Sequence, residues 1–144
     1  MTTSSGKINN EPREAGYKTV ETIQITDKMV RQFAELSGDF NPIHLDDEYA
    51  KTTRFKKRIA HGMILGALVS RLLNEKMGQG GIYLAQTLKF SNPVYIDDEI
   101  TFEFEVVKLH KTRGFGIVTT NAKNSSGDYV MKGEATIMMS WGVK

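Results

Sequence analysis

The chain has 144 residues, 40% of them apolar and 25% charged, enough for one domain whose core needs no covalent staples. A net charge of +2 is too small to point to nucleic acid. The absence of cysteine excludes disulfides, thiolate nucleophiles and Cys-based metal sites, and fits a reducing compartment.

Residues 1–15 are rich in Thr, Ser, Asn and charge and read as a mobile tail, leaving 16–144 as a single domain. Met1 to Arg13 has no apolar core for a secretory signal, and the longest apolar stretch, Met63 to Val69, is far too short for a bilayer span. A cytoplasmic protein without membrane contact is expected. Val20, Ile23 and Ile25 predict a short strand. Thr26 is a candidate N-cap for a helix carrying Met29, Val30, Phe33, Ala34 and Leu36, stopped by Ser37-Gly38. Pro42 disfavours helical geometry at Asn41, so Asp39-Phe40-Asn41-Pro42-Ile43-His44 is expected to be extended or turning. A short helix over Asp46 to Lys51 precedes a basic run from Arg54 to Arg58.

The most apolar element starts at His61-Gly62. Met63, Ile64, Leu65, Ala67, Leu68, Val69, Leu72 and Leu73 cover nearly its whole circumference, as expected of a helix surrounded by protein. After Gly78-Gln79-Gly80-Gly81 the period changes to two. Strands are predicted over Ile82 to Phe90, from Ile100 to Val106, over Phe115 to Ala122 and over Tyr129 to Met139. The pattern is α+β: a four-strand antiparallel meander, preceded by one short strand, wrapped around a buried helix.

Asp39 and His44 are titratable residues in a Pro-containing loop and could converge on one water. Spacing alone equally allows a capping aspartate and an ordinary histidine. A metal site at Asp39, His44 and Asp46 lacks the paired spacing such sites use, so none is expected. Gly62 opens a helix whose first-turn N–H groups can face a developing oxyanion, with no Cβ in the way. Ser70 on an apolar helix ordinarily bonds back to a carbonyl one turn earlier.

Three segments, Ser37-Gly38-Asp39-Phe40-Asn41-Pro42-Ile43-His44-Leu45-Asp46, Ile59-Ala60-His61-Gly62-Met63 and Ile82 to Phe90, stand in one order along the chain. Together they resemble the MaoC-like (R)-specific enoyl-CoA hydratases, and Asp-x-Asn-Pro-x-His is the signature of that family. The resemblance extends from about Val20 to the last strand. It implies a hot-dog fold, an antiparallel sheet wrapped around a long central helix, and (R)-specific hydration of trans-2-enoyl-CoA to (R)-3-hydroxyacyl-CoA. It assigns acid–base catalysis to Asp39 and His44, with Asp39 accepting a proton from water and His44 delivering one to the α-carbon. The Gly62 N–H becomes the oxyanion donor, and Ser70 and Asn41 support the site. It implies an acyl tunnel shared by a homodimer and no cofactor. Lys56, Lys57 and Arg58 are candidate contacts to the phosphates of CoA on charge alone. The same residues also suit a 3-hydroxyacyl-ACP dehydratase on a carrier-bound thioester, or a non-catalytic acyl-thioester binding subunit. A hot-dog thioesterase would have no need of the Asp/His motif.

Overall fold

The computed structural model describes residues 14–78 and 81–138. The tail expected over 1–15 lies outside them as far as Arg13, as does the Met139 end of the last predicted strand. Glu14 is already in a turn, accepting the Tyr17 N–H at 3.0 Å.

Five strands form one antiparallel sheet: β1 (Lys18–Gln24), β2 (Ile82–Phe90), β3 (Glu99–His110), β4 (Phe115–Lys123) and β5 (Tyr129–Met138), in the order β1-β3-β4-β5-β2. The β3 alternation reads as expected, with Ile100, Phe102, Phe104 and Val106 buried and Thr101, Glu103 and Glu105 half-buried between them. The expected four-strand meander is correct for β3-β4-β5 and incorrect for β2, which pairs with β5 at the opposite edge. Residues 91–98 are too long for a tight hairpin. They cross instead to bring β3 beside β1, and the turn is locked where Ile25 and Asp98 exchange main-chain bonds with their neighbours (Ile25 N–H to Asp98 O, 2.9 Å; Asp97 N–H to Ile25 O, 2.7 Å).

Helix α1 (Asp27–Ser37) is capped by Thr26 and ends at Gly38, whose φ of +77° is the left-handed conformation a terminating glycine supplies. Two short helices follow, α2 (Pro42–Leu45) and α3 (Asp47–Lys51). The loop expected over 39–44 is therefore half right. Asn41 is extended (φ −54°, ψ 123°), but Pro42 takes the first helical position, where its missing N–H costs nothing, and starts a turn.

Helix α4 (Gly62–Met77) lies in the concave face of the sheet and buries Ile64, Leu65, Val69, Leu72, Leu73 and Met77 against Phe102, Phe104, Val118, Ala122, Met131 and Ala135. Its apolar circumference is not wholly covered: Met63, Ala67, Ser70 and Asn74, one stripe at helical spacing, face outward. Among the described residues no helix is long and apolar enough to cross a membrane.

Candidate active site

The site forms where the end of α1, the single turn α2 and the start of α4 meet. Gly38 reverses the chain out of α1, and the Asp39 N–H then donates to Ser37 Oγ at 3.1 Å. The Asp39 carboxylate accepts the Asn41 N–H at 3.2 Å, and the Asn41 side chain accepts the Ile43 N–H at 3.3 Å, capping α2. Asn41 thus joins the Asp39 carboxylate to the turn of α2 through its main-chain N–H and its side chain. Asp46 caps α3 through the Tyr49 N–H at 3.1 Å.

His44 points inward from α2. Its Nδ1 lies 2.7 Å from the carbonyl of Ile59. A carbonyl only accepts, so Nδ1 carries the hydrogen and Nε2 of the neutral ring presents a lone pair to the site. Burial pushes the His44 pKa below the ordinary histidine value; the nearby His61 pushes the same way, and the Ile59 bond and the Asp39 carboxylate oppose them. The balance favours neutral imidazole.

His61, which the sequence offered only as a neighbour of Gly62, is the third member. It is 3% exposed, stacks on His44 with ring centroids 3.9 Å apart, and packs on Phe33 at 4.9 Å. Its Nε2 donates to the main-chain carbonyl of Asp39 at 3.0 Å, leaving Nδ1 buried without a partner among the described residues. One atom each from the Asp39 carboxylate, His44 and His61 comes within a mutual 4.8 Å. With Nε2 committed to that carbonyl, the His61 ring carries its lone pair on the enclosed Nδ1.

Gly62 is the first residue of α4, so its N–H has no carbonyl one turn earlier to meet, whereas the Ile64 N–H is already taken by the His61 carbonyl at 3.1 Å. A Cβ at Gly62 would stand 3.1 Å from three ring atoms of Phe90, so the missing side chain is what lets that ring pack on the start of the helix. Both residues border a cavity of about 280 Å³ together with His44, Arg54, Phe55 and Ala60. Asp39, which is exposed, stands outside this lining.

Two expected site residues are placed elsewhere. Arg58 does not face a ligand: it is 8% exposed, its Nε donates to the His44 carbonyl at 2.8 Å, and its Nη2 is paired with Asp27. Satisfying so buried a charge takes its fixed fork of donors. Ser70 lines a different cavity of about 300 Å³ with Leu73, Asn74, Tyr83 and Ile137, about 12 Å along the helix from Gly62 at 1.5 Å per residue. Of the remaining basic run, Lys56 is exposed with φ +65°, Lys57 Nζ sits 5.1 Å above the Tyr95 ring, and Arg54 borders the His44 cavity.

The family described as "MaoC like domain" matches residues 9–129. An (R)-specific enoyl-CoA hydratase of Aeromonas caviae is 40% identical over 127 residues, covering 88% of this chain and 95% of that protein. A mitochondrial 3-hydroxyacyl-[acyl-carrier-protein] dehydratase of Arabidopsis thaliana is 34% identical over 122 residues, covering 83% and 73%. The unliganded R-hydratase PhaJ1 of Pseudomonas aeruginosa superposes with a TM-score of 0.84 at 43% identity, covering 88% of this chain and 82% of that one.

The state of His44 generates a pH prediction. Its lowered pKa keeps the ring neutral down to a pH below about 6.5, the ordinary histidine value. Activity that needs neutral His44 is therefore retained above that limb and lost as pH falls through it. The acid limb of kcat/KM is expected below that of an exposed histidine; a limb at or above pH 7 is incompatible with a neutral, buried His44.

Proposed function

The chain belongs to the MaoC-like family and is a hydro-lyase of acyl thioesters, and we propose that Asp39 and His44 carry out its (R)-specific hydration of trans-2-enoyl-CoA to (R)-3-hydroxyacyl-CoA. The observation that carries this reading is an exposed Asp39 carboxylate oxygen within 4.8 Å of a ring nitrogen of His44, on a ring whose Nδ1 is held by the Ile59 carbonyl and whose Nε2 bears the lone pair, near enough for one water to bridge the two side chains.

The reaction balances with that water alone. As its oxygen bonds to the β-carbon, its proton passes to the pair, and the pair returns a proton to the α-carbon on the same face. The hydrogen bond to Ile59 leaves the site-facing nitrogen of His44 without a proton at the start. His44 therefore delivers a proton to the α-carbon only after the pair has received it from water. Positioned acid–base groups contribute about 10²–10⁴-fold. The thioester oxygen gains negative charge in the enolate-like transition state, and the Gly62 N–H at the helix start is the donor aimed at it. Arg54, at the cavity edge, takes the place of Arg58 as the cation facing the phosphates of the carrier.

A homodimer completes the site. Asp39 and Phe40 are exposed, and Met63 (54%), Ile82 (58%), Leu84 (52%) and Phe90 (45%) leave an apolar surface on α4 and the edge strand β2. An edge strand and an apolar helix stripe in water favour a covering partner. A second copy would wall off the reaction from solvent, and it is the route by which Ser70, remote from the pair within one chain, would reach a tunnel. The reverse dehydration on a carrier-protein thioester is the same chemistry, and exposed Lys56 and Lys57 near Arg54 suit an acidic carrier.

Three outcomes check this reading. With crotonyl-CoA, followed by loss of the conjugated thioester absorbance, Asp39→Asn and His44→Ala are expected to lower kcat at least about 100-fold; near wild-type turnover in either removes the assigned mechanism. In the same assay Arg54→Ala is expected to raise KM about tenfold with kcat within about twofold, as loss of a charge-assisted contact made equally in ground and transition states would do; an unchanged KM takes Arg54 out of carrier recognition. Light scattering on the eluting protein is expected to give twice the 16.2 kDa chain mass, and a fully active monomer would end the shared-tunnel reading.

A further inference from the structure

Among the described residues only Arg58, His61 and Thr120 are buried polar or charged side chains, and the first two both grip the loop that carries the acid–base pair. His61 holds the Asp39 carbonyl. Arg58 holds the carbonyl of His44 itself, while its other arm reaches across to Asp27 in the first turn of α1. Asp27 is in turn bonded to Arg31 one helical turn on, at 2.9 Å.

We propose that Arg58, anchored by Asp27, is a positioning residue that sets the orientation of His44 for proton transfer. This rests on the assignment of His44 to the acid–base pair. The argument is geometric. His44 lies in a helix of four residues, too short to hold its own direction by helical hydrogen bonds. Within the turn the His44 N–H is bonded to Asn41 O at 3.0 Å; from outside it, Ile59 O accepts from the His44 ring Nδ1, the Ile59 N–H donates to Ile43 O at 3.2 Å, and the Arg58 Nε donates to His44 O. The bonds from outside the turn thus come from the two residues Arg58 and Ile59. The Ile59 bonds place the turn beside the 58–60 segment, which is itself bridged to Tyr95. Among the described residues Arg58 is the side chain whose hydrogen bonds link that turn to α1, through a planar fork whose arms point to two different elements.

The Asp27 partner makes the tie an anchor. An unpaired guanidinium at 8% exposure would be drawn toward water, and the carboxylate at its tip opposes that. The Arg58 guanidinium in turn holds the Asp27 carboxyl below its usual value, helped by Arg31, so the pair stays ionised throughout the range in which a histidine titrates. The groups facing His44 are Asp39 from the loop, His61 from the head of α4, and Arg58 with Ile59 from the segment between them. Release of the turn would let water reach the imidazole, removing the burial that lowers its pKa.

The test uses full-length Arg58→Ala, Arg58→Lys and Asp27→Asn, with steady-state kinetics on crotonyl-CoA and an NMR titration of the His44 ring, which is one of three histidines in the chain. Arg58→Ala is expected to lower kcat about tenfold or more with KM within about twofold, since a small misplacement of a reacting group costs rate rather than binding. It is also expected to move the His44 pKa upward. Arg58→Lys keeps the charge and loses the fork, so a kcat loss and upward shift in that variant, smaller than in Arg58→Ala, separates positioning from the removal of a neighbouring positive charge. Asp27→Asn is expected to fall between wild type and Arg58→Lys in kcat, and it keeps the test open should Arg58→Ala fail to fold. Wild-type kcat and His44 titration in all variants overturn the proposal. So does an effect seen in Arg58→Ala and fully absent from Arg58→Lys, because the fork is then dispensable. With Asp39→Asn in the same series, an inactive Asp39→Asn beside unaffected Arg58 variants overturns the positioning role alone. An active Asp39→Asn points to failure of the assignment beneath it.

Discussion

The site depends on a short buried stretch of chain, residues 58–61, which is bonded on both sides. On one side the Ala60 N–H donates to Val94 O at 2.7 Å and Ile59 bridges Tyr95, tying the stretch to the crossing that leads into β3. On the other, Arg58, Ile59 and His61 hold main-chain or ring atoms of residues 39–44. Buried backbone groups must find partners, and here they find them in the loop that carries Asp39 and His44. The same stretch ends by starting the central helix, so the Asp39–His44 turn, the Gly62 N–H and the core share one support.

That arrangement explains why two imidazoles can lie face to face at 3.9 Å. Each ring commits one nitrogen to a carbonyl, which fixes its tautomer. The enclosure disfavours a positive charge on His44, since burial penalises the charged form and His61 beside it pushes the same way. The nitrogen of His44 turned away from Ile59 is thereby kept as an acceptor. The one charge buried nearby, on Arg58, is neutralised by Asp27 on the far side from the reacting groups. A positive charge is thus held close to the site without being spent on the substrate.

The chain's outer surface carries the complementary message. The sheet covers one side of α4, and a stripe from Met63 to Asn74 stays uncovered beside the open edge of β2. The Asp39 carboxylate sits at the surface, while the cavity bordered by His44 is walled by Phe55, Ala60 and Phe90. An acyl thioester is long and mostly apolar, and a half-open cavity of this kind holds only part of it.

Much of this was legible in the sequence. Thr26 and Gly38 mark the ends of α1, the period-two run from Ile100 to Val106 marks a half-buried strand, and the apolar run after Gly62 marks the core helix, because caps and periodicity are local properties. Asp39, Asn41 and His44 stood out only through their resemblance to a family motif, since their spacing alone left a capping aspartate and an ordinary histidine open. What the sequence left open depends on long-range contacts. Strand order put β2 against β5, because residues 91–98 had to cross the sheet. Pro42 opened a turn because Ile59 and Arg58 were there to hold it. Arg58, one of five residues in a basic-looking run, turned inward to a carboxylate 31 positions away, and Ser70 went to a separate cavity two helical turns from Gly62. His61 carried no signal of its own beyond its place before Gly62. Residue type and local spacing determine which groups can act; which of them meet is set by the packing of distant segments, because burial and the pairing of buried polar groups are decided only when the whole chain closes.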